Sequence, residues 1–457
     1  MNFHRKKILV IGAGVSGFAA AMIGRKLGAD VVLSDAKPEQ ELKYDFKKFR
    51  AAGIKLFFGK QEDGLLTDVD LIIVSPAVPI STPLVKKALQ CGIQVISEIE
   101  LAQNLAQSPF YAVTGTNGKT TTVTLLGLLI ATMYGKDKTG VGGNIGVSLS
   151  DEALRIGSNG GIVAEISSYQ LEATNHFHPH VSAVLNVTPD HIVRHGSMEV
   201  YQKMKERIFH EETNDDFLVL NYDDERTRSM AERTKARVCF FSRKEELQEG
   251  ACLQGDTLVI RWDNQCWPLC TVNDLGIKGS HNVENALAAS AMAFLAGCKP
   301  EKMIPVLESF RGVEHRIEYF ATIDGIPYYN DSKATNTDSA IKALETFPAH
   351  IVLLAGGDDK MTDLTDFMQL VKERVDELIL LGNASERFHK AAVKQGIEEV
   401  HIHEAGYSME KAVAIAHSLA HVPQVVLLSP ACASFDMYDG MAQRGRDFKR
   451  LVRKFQH

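Results

Sequence analysis

The stretch YAVTGTNGKTTTV, Tyr111–Val123, decides the fold of the central part of this 457-residue chain. Its apolar start predicts a buried strand, a glycine-rich loop follows, and the apolar run after Lys119 predicts a helix. This order is typical of a phosphate-binding loop, because backbone N–H groups and the helix dipole hold phosphate. The loop is shortened: Val113 stands where the first glycine is usual, and the nearest glycine is Gly115.

The loop itself carries the groups that a nucleoside triphosphate requires. Lys119 can neutralise phosphate charge, and the hydroxyl of Thr120 can reach Mg2+. A glycine-rich turn with an incidental lysine is the alternative, and the density of hydroxyl, amide and glycine residues argues against it. The residues assigned to ATP in this loop are Gly115, Thr116, Asn117, Gly118, Lys119, Thr120 and Thr121.

A second glycine-rich turn lies near the N-terminus. The apolar run Ile8–Ile11 leads into Gly12-x-Gly14-x-x-Gly17, and the next predicted strand ends on Asp35. Strand, turn, helix and acidic strand end form the fingerprint of a dinucleotide site. Because any nucleotide diphosphate can use such a turn, the fingerprint does not specify NAD. Two phosphate-binding turns argue for two different phosphorylated ligands.

Composition and charge exclude several classes of partner. Hydrophobic residues make up 45% and charged residues 23% of the chain, which is ordinary for a globular protein. The net charge of -7 gives no electrostatic case for nucleic acid or an anionic membrane. No apolar run approaches the roughly 20 residues of a membrane span, and the N-terminus lacks a signal-peptide pattern. We expect a cytoplasmic protein whose seven cysteines are reduced and structural.

Polar residues also follow other predicted strands of the central part. Glu165 ends the buried-strand pattern GIVAE, where it could hold the same Mg2+ as Thr120. A hydrogen-bonded structural carboxylate is the alternative for this residue. Asp190 and His191 follow the next strand, and a helix carrying Lys205 comes after them.

The segment HFHPH contains His176, His178 and His180. Three histidines in so short a segment suggest a metal site. However, Pro179 interrupts the local geometry and the sequence offers no ligand to pair with them. We interpret the segment as an ordinary loop.

The last third of the chain alternates predicted strands and helices. The runs IVLLAGG, ELILLG and QVVLLSP indicate a second Rossmann-like sheet. The predicted fold class is α/β with three domains. These are an N-terminal Rossmann-like domain at 1–108, a central P-loop-type ATP-binding domain at 109–312, and a C-terminal Rossmann-like domain at 313–457.

Short motifs across essentially the whole chain resemble those of the ATP-dependent Mur ligases, which add amino acids to the peptidoglycan precursor. The motifs are GTNGKTT, GNIG, EISSYQLE, NVTPDHIVRHGSMEVYQKMK, GSHNVENALAA, HRIE, NDSKATN, GGDDK and LLSPACASFDMYDGMAQRG. The shortened loop resembles this family's version of the P-loop. NDSKATN and LLSPACASFD resemble the branch of the family that adds D-glutamate.

The resemblance implies an ATP site with two Mg2+ ions. Lys119 would bind the β- and γ-phosphates, while Thr120 and Glu165 would hold one Mg2+. His191 would hold the second with Lys205 as a carbamate, which is anionic where an ammonium would repel the cation. A solvated helix lysine is the alternative for Lys205. The further ATP contacts implied are Asn282, Asn285, Arg316 and Asp331. For the two asparagines, helix capping is the alternative.

The resemblance also implies the substrates. The first domain would bind UDP-N-acetylmuramoyl-L-alanine and the third would bind D-glutamate, whose two carboxylates suit cations and hydroxyls. The residues assigned to the UDP substrate are Gly14, Val15, Ser16, Asp35, Lys37, Ser75, Asn144 and His191. Those assigned to D-glutamate are Lys333, Thr335, Lys360 and Ser434. A monomer without nucleic-acid or membrane partners is expected.

Three positions depart from the family pattern. Val193 stands where Asp is usual, Ala77 where Gly is usual, and Met441 where an aromatic residue is usual. None of them removes a predicted metal or phosphate ligand.

The expected function is ATP-dependent ligation through an acyl phosphate, and other functions remain open from the sequence. A folylpolyglutamate synthase shares the chemistry but would not need the N-terminal fingerprint turn. An NAD-dependent oxidoreductase built on Gly12–Gly17 would leave Lys119, Glu165 and His191 without a role. A non-catalytic nucleotide-binding module would release no ADP with any acceptor.

Overall fold

The computed structural model describes residues 3–42 and 45–456, apart from the side chain of Val193. Within them the strands form three sheets, one in each segment predicted as a domain, which confirms the predicted α/β class. The chain divides into two compact units. The first extends to Leu275 and includes Val283–Phe310; the second comprises Gly276–Asn282 and the chain from Arg311 onward.

The first sheet consists of parallel strands flanked by helices. The strands are β1 (Lys7–Ile11), β2 (Asp30–Asp35), β3 (Lys55–Phe58), β4 (Leu71–Val74) and β5 (Gln94–Ser97). The helices are α1 (Val15–Lys26), α2 (Lys47–Ala51), α3 (Pro83–Gln90) and α4 (Glu98–Leu105). The strand order β3-β2-β1-β4-β5 reverses next to β1, and such a reversal opens a crevice at the carboxyl ends of the strands.

The second sheet is larger and mixed. Its strands are β6 (Phe110–Thr114), β7 (Thr139–Gly143), β8 (Gly161–Glu165), β9 (Val181–Val184), β10 (Phe217–Asn221), β11 (Arg237–Ser242), β12 (Gly250–Gln254), β13 (Thr257–Trp262) and β14 (Gln265–Thr271). Their order is β14-β13-β12-β11-β10-β9-β6-β8-β7. In this order, every neighbouring pair of strands between β7 and β12 is parallel. At the other edge, β13 pairs antiparallel with both β12 and β14. The antiparallel edge formed by β13 and β14 was not predicted from the sequence.

Helices of very different length accompany this sheet. They are α5 (Lys119–Tyr134), α6 (Leu149–Ile156), α7 (Ser168–Leu171), α8 (Ile192–His195), α9 (Met198–Glu206), α10 (Glu225–Arg228), α11 (Ser280–Leu295) and α12 (Pro300–Ser309). Helix α5 is apolar on most sides because it contacts β7 and β8 on one side and α12 on another. Its burial fixes the start of the helix, and therefore the loop before it.

The first two sheets are joined by buried polar contacts of α4. The carboxylate of Glu98 accepts a hydrogen bond from the backbone N–H of Ser150 at 2.7 Å, and Glu100 accepts one from that of Asn175 at 2.5 Å. Burial raises the pKa of both carboxyl groups. These contacts explain why both sheets belong to one compact unit.

The third sheet has strands β15 (Glu318–Ile323), β16 (Ile326–Asn330), β17 (Ile351–Gly356), β18 (Val375–Leu381), β19 (Ile402–Gly406) and β20 (Val425–Leu428). Its helices are α13 (Thr337–Glu345), α14 (Thr365–Arg374), α15 (Ser385–Gln395), α16 (Met409–Leu419) and α17 (Met441–Val452). The order is β15-β16-β20-β17-β18-β19, and only β15 is antiparallel to its neighbour. The loops after β16, β20 and β17 therefore lie side by side.

No helix within the described residues has both the length and the apolar character that crossing a bilayer requires. All seven cysteines are free, as expected.

Candidate functional site

The shortened phosphate-binding loop connects β6 to α5, and its backbone requires both of its glycines. Gly115 has φ 151° and Gly118 has φ 83°, values that residues with side chains rarely adopt. A Cβ on Gly118 would lie 2.3 Å from Oδ1 of Asn285, and one on Gly115 would lie 3.0 Å from Cβ of Leu185. The loop is therefore held close to the neighbouring elements by the absence of side chains.

Asn186, just after β9, holds the loop from the other side. Its amide oxygen accepts hydrogen bonds from the backbone N–H groups of Thr116 at 3.1 Å and Asn117 at 2.8 Å. The hydroxyl of Thr116 donates to the carbonyl of Thr188 at 3.1 Å. Sequence reasoning missed Asn186; its one signal was a polar residue at the end of a buried strand.

Two lysines converge on the carbonyl groups of this loop. Nζ of Lys119 donates to the carbonyl oxygens of Gly115 and Thr116, both at 2.8 Å. Nζ of Lys205 donates to the same Gly115 carbonyl at 2.7 Å, although Lys205 comes from α9. Lys205 is 1% exposed, so the alternative of a solvated lysine is wrong.

The charge state of Lys205 follows from its surroundings. Burial lowers the pKa of its amine well below the ordinary value, the positive charge of Lys119 lowers it further, and the carboxylate of Asp190 opposes this. Its Nζ lies 4.4 Å from the centroid of the Tyr201 ring. A lowered pKa favours the neutral form of an amine, which is the form that reacts with CO2 in a carbamylation.

Glu165 ends β8, next to β6, and is 2% exposed. Its Oε1 accepts a hydrogen bond from Nδ2 of Asn144 at 2.9 Å. Its Oε2 is buried and has no hydrogen-bond partner among the described residues. Because a buried carboxylate oxygen without a partner is costly, the arrangement fits a cation ligand better than a purely structural carboxylate. Thr120 is also buried, in the first turn of α5.

His191 is held by two side chains and by an unusual backbone. It adopts the left-handed conformation with φ 56°, and its N–H donates to Oδ1 of Asp190 at 2.9 Å. The hydroxyl of Tyr169 lies 3.0 Å from Nδ1 of His191. Arg194 forms a bidentate ion pair with Glu172 at 2.8 and 2.6 Å and lies over the Tyr169 ring. The side chain of Val193, a departure from the family pattern, lies outside the described part.

The fingerprint turn of the first sheet is built as the sequence predicted. A Cβ on Gly17 would lie 1.9 Å from the carbonyl oxygen of Gly12, so the helix can approach the turn only with glycine there. The Asp35 carboxylate accepts hydrogen bonds from the N–H groups of Ala13 at 2.8 Å and Lys37 at 2.9 Å. This carboxylate thus supports the turn itself.

The other residues predicted for the UDP substrate lie around this turn. Gly14 is the N-cap of α1 and Val15, 64% exposed, is its first residue, followed by Ser16. Ser75 is buried at the end of β4, and the departure Ala77 is exposed in the next turn. Asn144 directly follows β7 and lies beside Glu165.

In the second unit, Asp331 begins the loop after β16, and Arg316 lies just before β15. Oδ2 of Asp331 accepts a hydrogen bond from the hydroxyl of Ser429 at 2.8 Å, and Oδ1 accepts one from the N–H of Ile317 at 3.2 Å. Burial raises the pKa of Asp331 to about 7, opposed mainly by the charge of Arg316. Nε of Arg316 is buried without a hydrogen-bond partner among the described residues.

The residues predicted for D-glutamate occupy adjacent loops at one edge of the third sheet. Lys333 and Thr335 follow β16, Lys360 follows β17, and the buried Ser434 follows β20. Met441 is the first residue of α17, and its carbonyl accepts a hydrogen bond from the hydroxyl of Ser332 at 2.8 Å.

Neither of the asparagines in α11 is the helix cap that was the alternative for them. Nδ2 of Asn282 donates to the carbonyl of Lys278 at 2.7 Å, within the second unit. Oδ1 of Asn285 accepts a hydrogen bond from the hydroxyl of Thr122 at 3.2 Å and lies beside Gly118, within the first unit.

The histidine-rich segment is a loop, but the expectation that nothing pairs with its histidines is wrong. Asp216 lies 2.6 Å from Nε2 of His178 and 3.2 Å from Nδ1 of His180, and Glu211 lies 3.3 Å from Nδ1 of His176. The sequence could not reveal these long-range partners.

One group within the described residues has spacing suited to a metal ion: Glu314, His315 and Glu318. Nζ of Lys449 already lies 2.7 Å from both carboxylates, so a cation occupies that position. It is therefore an internal ion-pair network.

Three family models match successive parts of the chain. The Mur ligase MurD-like N-terminal domain matches residues 6–97, the Mur ligase middle domain matches residues 113–293, and the Mur ligase glutamate ligase domain matches residues 315–432. The fingerprint turn thus falls within a Mur ligase domain, which leaves an NAD-dependent oxidoreductase without support.

Curated relatives extend the likeness to the full length. A UDP-N-acetylmuramoylalanine–D-glutamate ligase of Caldanaerobacter subterraneus subsp. tengcongensis is 42% identical over 452 residues, which cover 99% of each chain. Another, of Pelotomaculum thermopropionicum, is 44% identical and covers 99% of this chain and 98% of its own.

Solved structures share the fold at low identity. A MurF from Acinetobacter baumannii has a TM-score of 0.61 at 18% identity and covers 97% of this chain and 93% of its own. A pseudomurein peptide ligase type C from Methanothermus fervidus has a TM-score of 0.60 at 19% identity, with coverage of 98% and 100%. This chain belongs to the Mur ligase family.

Proposed function

We propose that the protein is an ATP-dependent ligase that joins D-glutamate to UDP-N-acetylmuramoyl-L-alanine. The observation that carries the proposal is the convergence of Lys119 and Lys205 on the loop at Gly115. Sequence identity of 44% along nearly the whole chain to a relative with this printed name supports the choice of substrates.

In the first proposed step, an oxygen of the L-alanine carboxylate attacks the γ-phosphorus of ATP. A new O–P bond forms, the bond to the β-phosphate oxygen breaks, and ADP leaves. Lys119 now donates to loop carbonyls, and anionic phosphate oxygens would be stronger acceptors for the same ammonium. The backbone N–H groups at the start of α5 would hold the phosphates further.

Two Mg2+ ions would take part in this step. Thr120 and the unpartnered Oε2 of Glu165 would hold one ion, while His191 and a carbamylated Lys205 would hold the other. Mg2+ would neutralise the charge that spreads over the transferred phosphoryl group. Carbamylation itself needs only CO2: the neutral amine forms an N–C bond and releases a proton, and the lowered pKa favours that neutral amine.

In the second proposed step, the amine of D-glutamate attacks the acyl carbon. A tetrahedral intermediate collapses to the amide, phosphate leaves, and the amine loses its proton. Lys333, Thr335, Lys360 and Ser434 would bind the amino acid because cations and hydroxyls pair with its two carboxylates. The fingerprint turn and Ser75 would bind the uridine diphosphate, and Asn144 would contact the muramoyl part.

Phosphate release in the presence of ATP, Mg2+ and UDP-N-acetylmuramoyl-L-alanine tests the proposal. We expect release with D-glutamate, and only background with L-glutamate or without an amino acid. Release that depends on neither the UDP substrate nor D-glutamate would reduce the protein to an ATPase and contradict the proposal.

A further inference from the structure

Arg444, the fourth residue of α17, is 1% exposed, and each of its three guanidinium nitrogens donates a hydrogen bond. Nε donates to the hydroxyl of Ser332 at 2.9 Å, and Nη2 donates to the carbonyl of Ser332 at 2.8 Å. Nη1 donates to the carbonyls of Cys432 at 3.1 Å and Ala433 at 2.9 Å, and Nη2 also donates to that of Cys432 at 3.1 Å. One side chain thus joins two loops that are far apart in sequence.

These are the loops that carry residues predicted for D-glutamate. Ser332 immediately precedes Lys333 in the loop after β16, and Ala433 immediately precedes Ser434 in the loop after β20. The loop after β17, which leads to Lys360, is also close. A Cβ on its Gly357 would lie 2.4 Å from the Ala433 carbonyl oxygen and 3.1 Å from Nη1 of Arg444.

Every acceptor of the Arg444 guanidinium is neutral. Within residues 3–42 and 45–456, no carboxylate forms an ion pair with it, and its hydrogen bonds go to carbonyls and one hydroxyl. Burial lowers the pKa of Arg444 to about 10, so it keeps its charge at neutral pH. The negative charges of Asp436 and Asp331, which lie beyond ion-pair distance, oppose this lowering of the Arg444 pKa.

A buried cation without an anionic partner is costly, and its field extends into the adjoining loops. The cost is reduced when an anion binds nearby. The edge of the third sheet above Arg444 is where the two carboxylates of D-glutamate would bind.

We propose that Arg444 is a positioning residue for the incoming amino acid. It fixes Lys333 and Ser434 relative to each other through the two loops, and its positive charge, which is hydrogen-bonded only to neutral acceptors, favours a dianionic amino acid at this edge. The inference rests on the proposed function.

The test compares Arg444→Met, which removes the charge and the hydrogen bonds at similar length, with Arg444→Lys, which keeps the charge. Arg450→Met is the matched control, because Arg450 is an exposed arginine of the same helix. Each variant is assayed for KM of D-glutamate and for hydroxamate formation with hydroxylamine. Hydroxylamine attacks the acyl phosphate directly, giving a hydroxamate and phosphate, and needs no amino-acid site.

For Arg444→Met we expect a KM for D-glutamate raised at least about tenfold, the scale of one lost charged hydrogen bond. Its rate of hydroxamate formation and its KM for ATP should stay within about twofold of the values for the natural protein, because the acyl phosphate would form before D-glutamate reacts. Arg444→Lys should recover part of the KM, and Arg450→Met should change neither reaction.

An unchanged KM for D-glutamate in Arg444→Met, or an equal loss of both reactions, would overturn the inference. If Arg444→Met does not fold, Arg444→Lys provides the test. A KM for D-glutamate in Arg444→Lys equal to that of the natural protein would exclude the loop-fixing role. Failure of the proposed function has a different signature, because the natural protein itself would then form neither the hydroxamate nor the amide.

Discussion

Nζ of Lys205 donates a hydrogen bond to the carbonyl oxygen of Gly115 at 2.7 Å, from a position that is 1% exposed. The contact joins α9 to the phosphate-binding loop across 90 residues of sequence. It places an amine of lowered pKa where the γ-phosphate of ATP would bind in the proposed reaction.

Lys205→Ala should abolish phosphate release without unfolding the protein, because it removes the nitrogen that would carry the carbamate. Lys203→Ala on the exposed side of the same helix is the control and should retain activity. Added acetate or formate should restore part of the activity of Lys205→Ala, since a free carboxylate can enter the vacated space. Full activity in Lys205→Ala would exclude the carbamate role.

Lys119→Ala should lower kcat by at least about a hundredfold, the scale of one lost transition-state contact to developing charge. Binding of the UDP substrate, measured by calorimetry, should persist because the fingerprint turn lies in the first sheet. Lys136→Ala, exposed just after the same helix, is the control. A kcat near that of the natural protein would show that Lys119 does not act on the phosphates.

Gly118→Ala and Gly135→Ala form a matched pair at the two ends of α5. Both glycines have positive φ, 83° and 84°, with ψ of -18° at Gly118 and 157° at Gly135, so each substitution should cost about 1–3 kcal/mol in the free energy of unfolding. Only Gly118→Ala adds a clash, because its Cβ would lie 2.3 Å from Oδ1 of Asn285, whereas nothing lies within 4 Å of one on Gly135. We therefore expect ATP binding to fail in Gly118→Ala alone. Equal ATP affinity in both variants would contradict the described loop.

Tyr169→Phe removes the hydroxyl that lies 3.0 Å from Nδ1 of His191. If this contact orients the imidazole, Mn2+ binding followed by electron paramagnetic resonance should weaken by about threefold to tenfold, with kcat falling in parallel. Tyr222→Phe, with the same loss of a phenolic hydroxyl, should leave Mn2+ affinity unchanged. Unaltered Mn2+ affinity in Tyr169→Phe would show that His191 is oriented by its backbone and Asp190 alone.

Glu212 predicts a pH effect on stability, since it is 1% exposed and its carboxyl oxygens have no hydrogen-bond partner within the described residues. Burial raises the pKa of Glu212 well above its ordinary value, and the negative charge of Asp216 raises it further. The folded state therefore binds this proton more tightly than the unfolded state. By linkage, stability falls as pH rises above the unfolded pKa of about 4.3.

Glu212→Gln removes that titration. Its free energy of unfolding in urea should exceed that of the natural protein by about 1–2 kcal/mol at pH 8, and the gap should narrow at pH 5. Glu232→Gln, at an exposed glutamate, is the control. A gap as large at pH 5 as at pH 8 would show that Glu212 does not titrate as described.

The fold and the phosphate-binding turns could be predicted because their signals are local. A strand, a glycine turn and a helix are encoded in consecutive residues around Gly12 and Gly118, and parallel sheets bring their strand ends to one edge. That rule accounts for the prediction of Glu165 beside the loop, whereas the role of His191 came from the resemblance to the Mur ligases. The metal-site role proposed for Lys205 came only from the resemblance. Its burial became known only from the structure.

The remaining features depend on contacts between distant residues. Asn186 holds a loop 70 residues away, and Arg444 holds Ser332 across 112 residues. Neither residue belongs to a local pattern, and an arginine or asparagine in a polar segment is usually exposed. The pairing of His178 and His180 with Asp216 escaped prediction for the same reason.

The most direct test of the acyl-phosphate account uses UDP-N-acetylmuramoyl-L-alanine labelled with 18O in both oxygens of the alanine carboxylate. After reaction with ATP, Mg2+ and D-glutamate, mass spectrometry measures the label in phosphate and in the amide product. The account predicts one 18O in each, because the attacking carboxylate oxygen leaves with phosphate. Phosphate without 18O, with both labelled oxygens unchanged in the UDP compound, would contradict it.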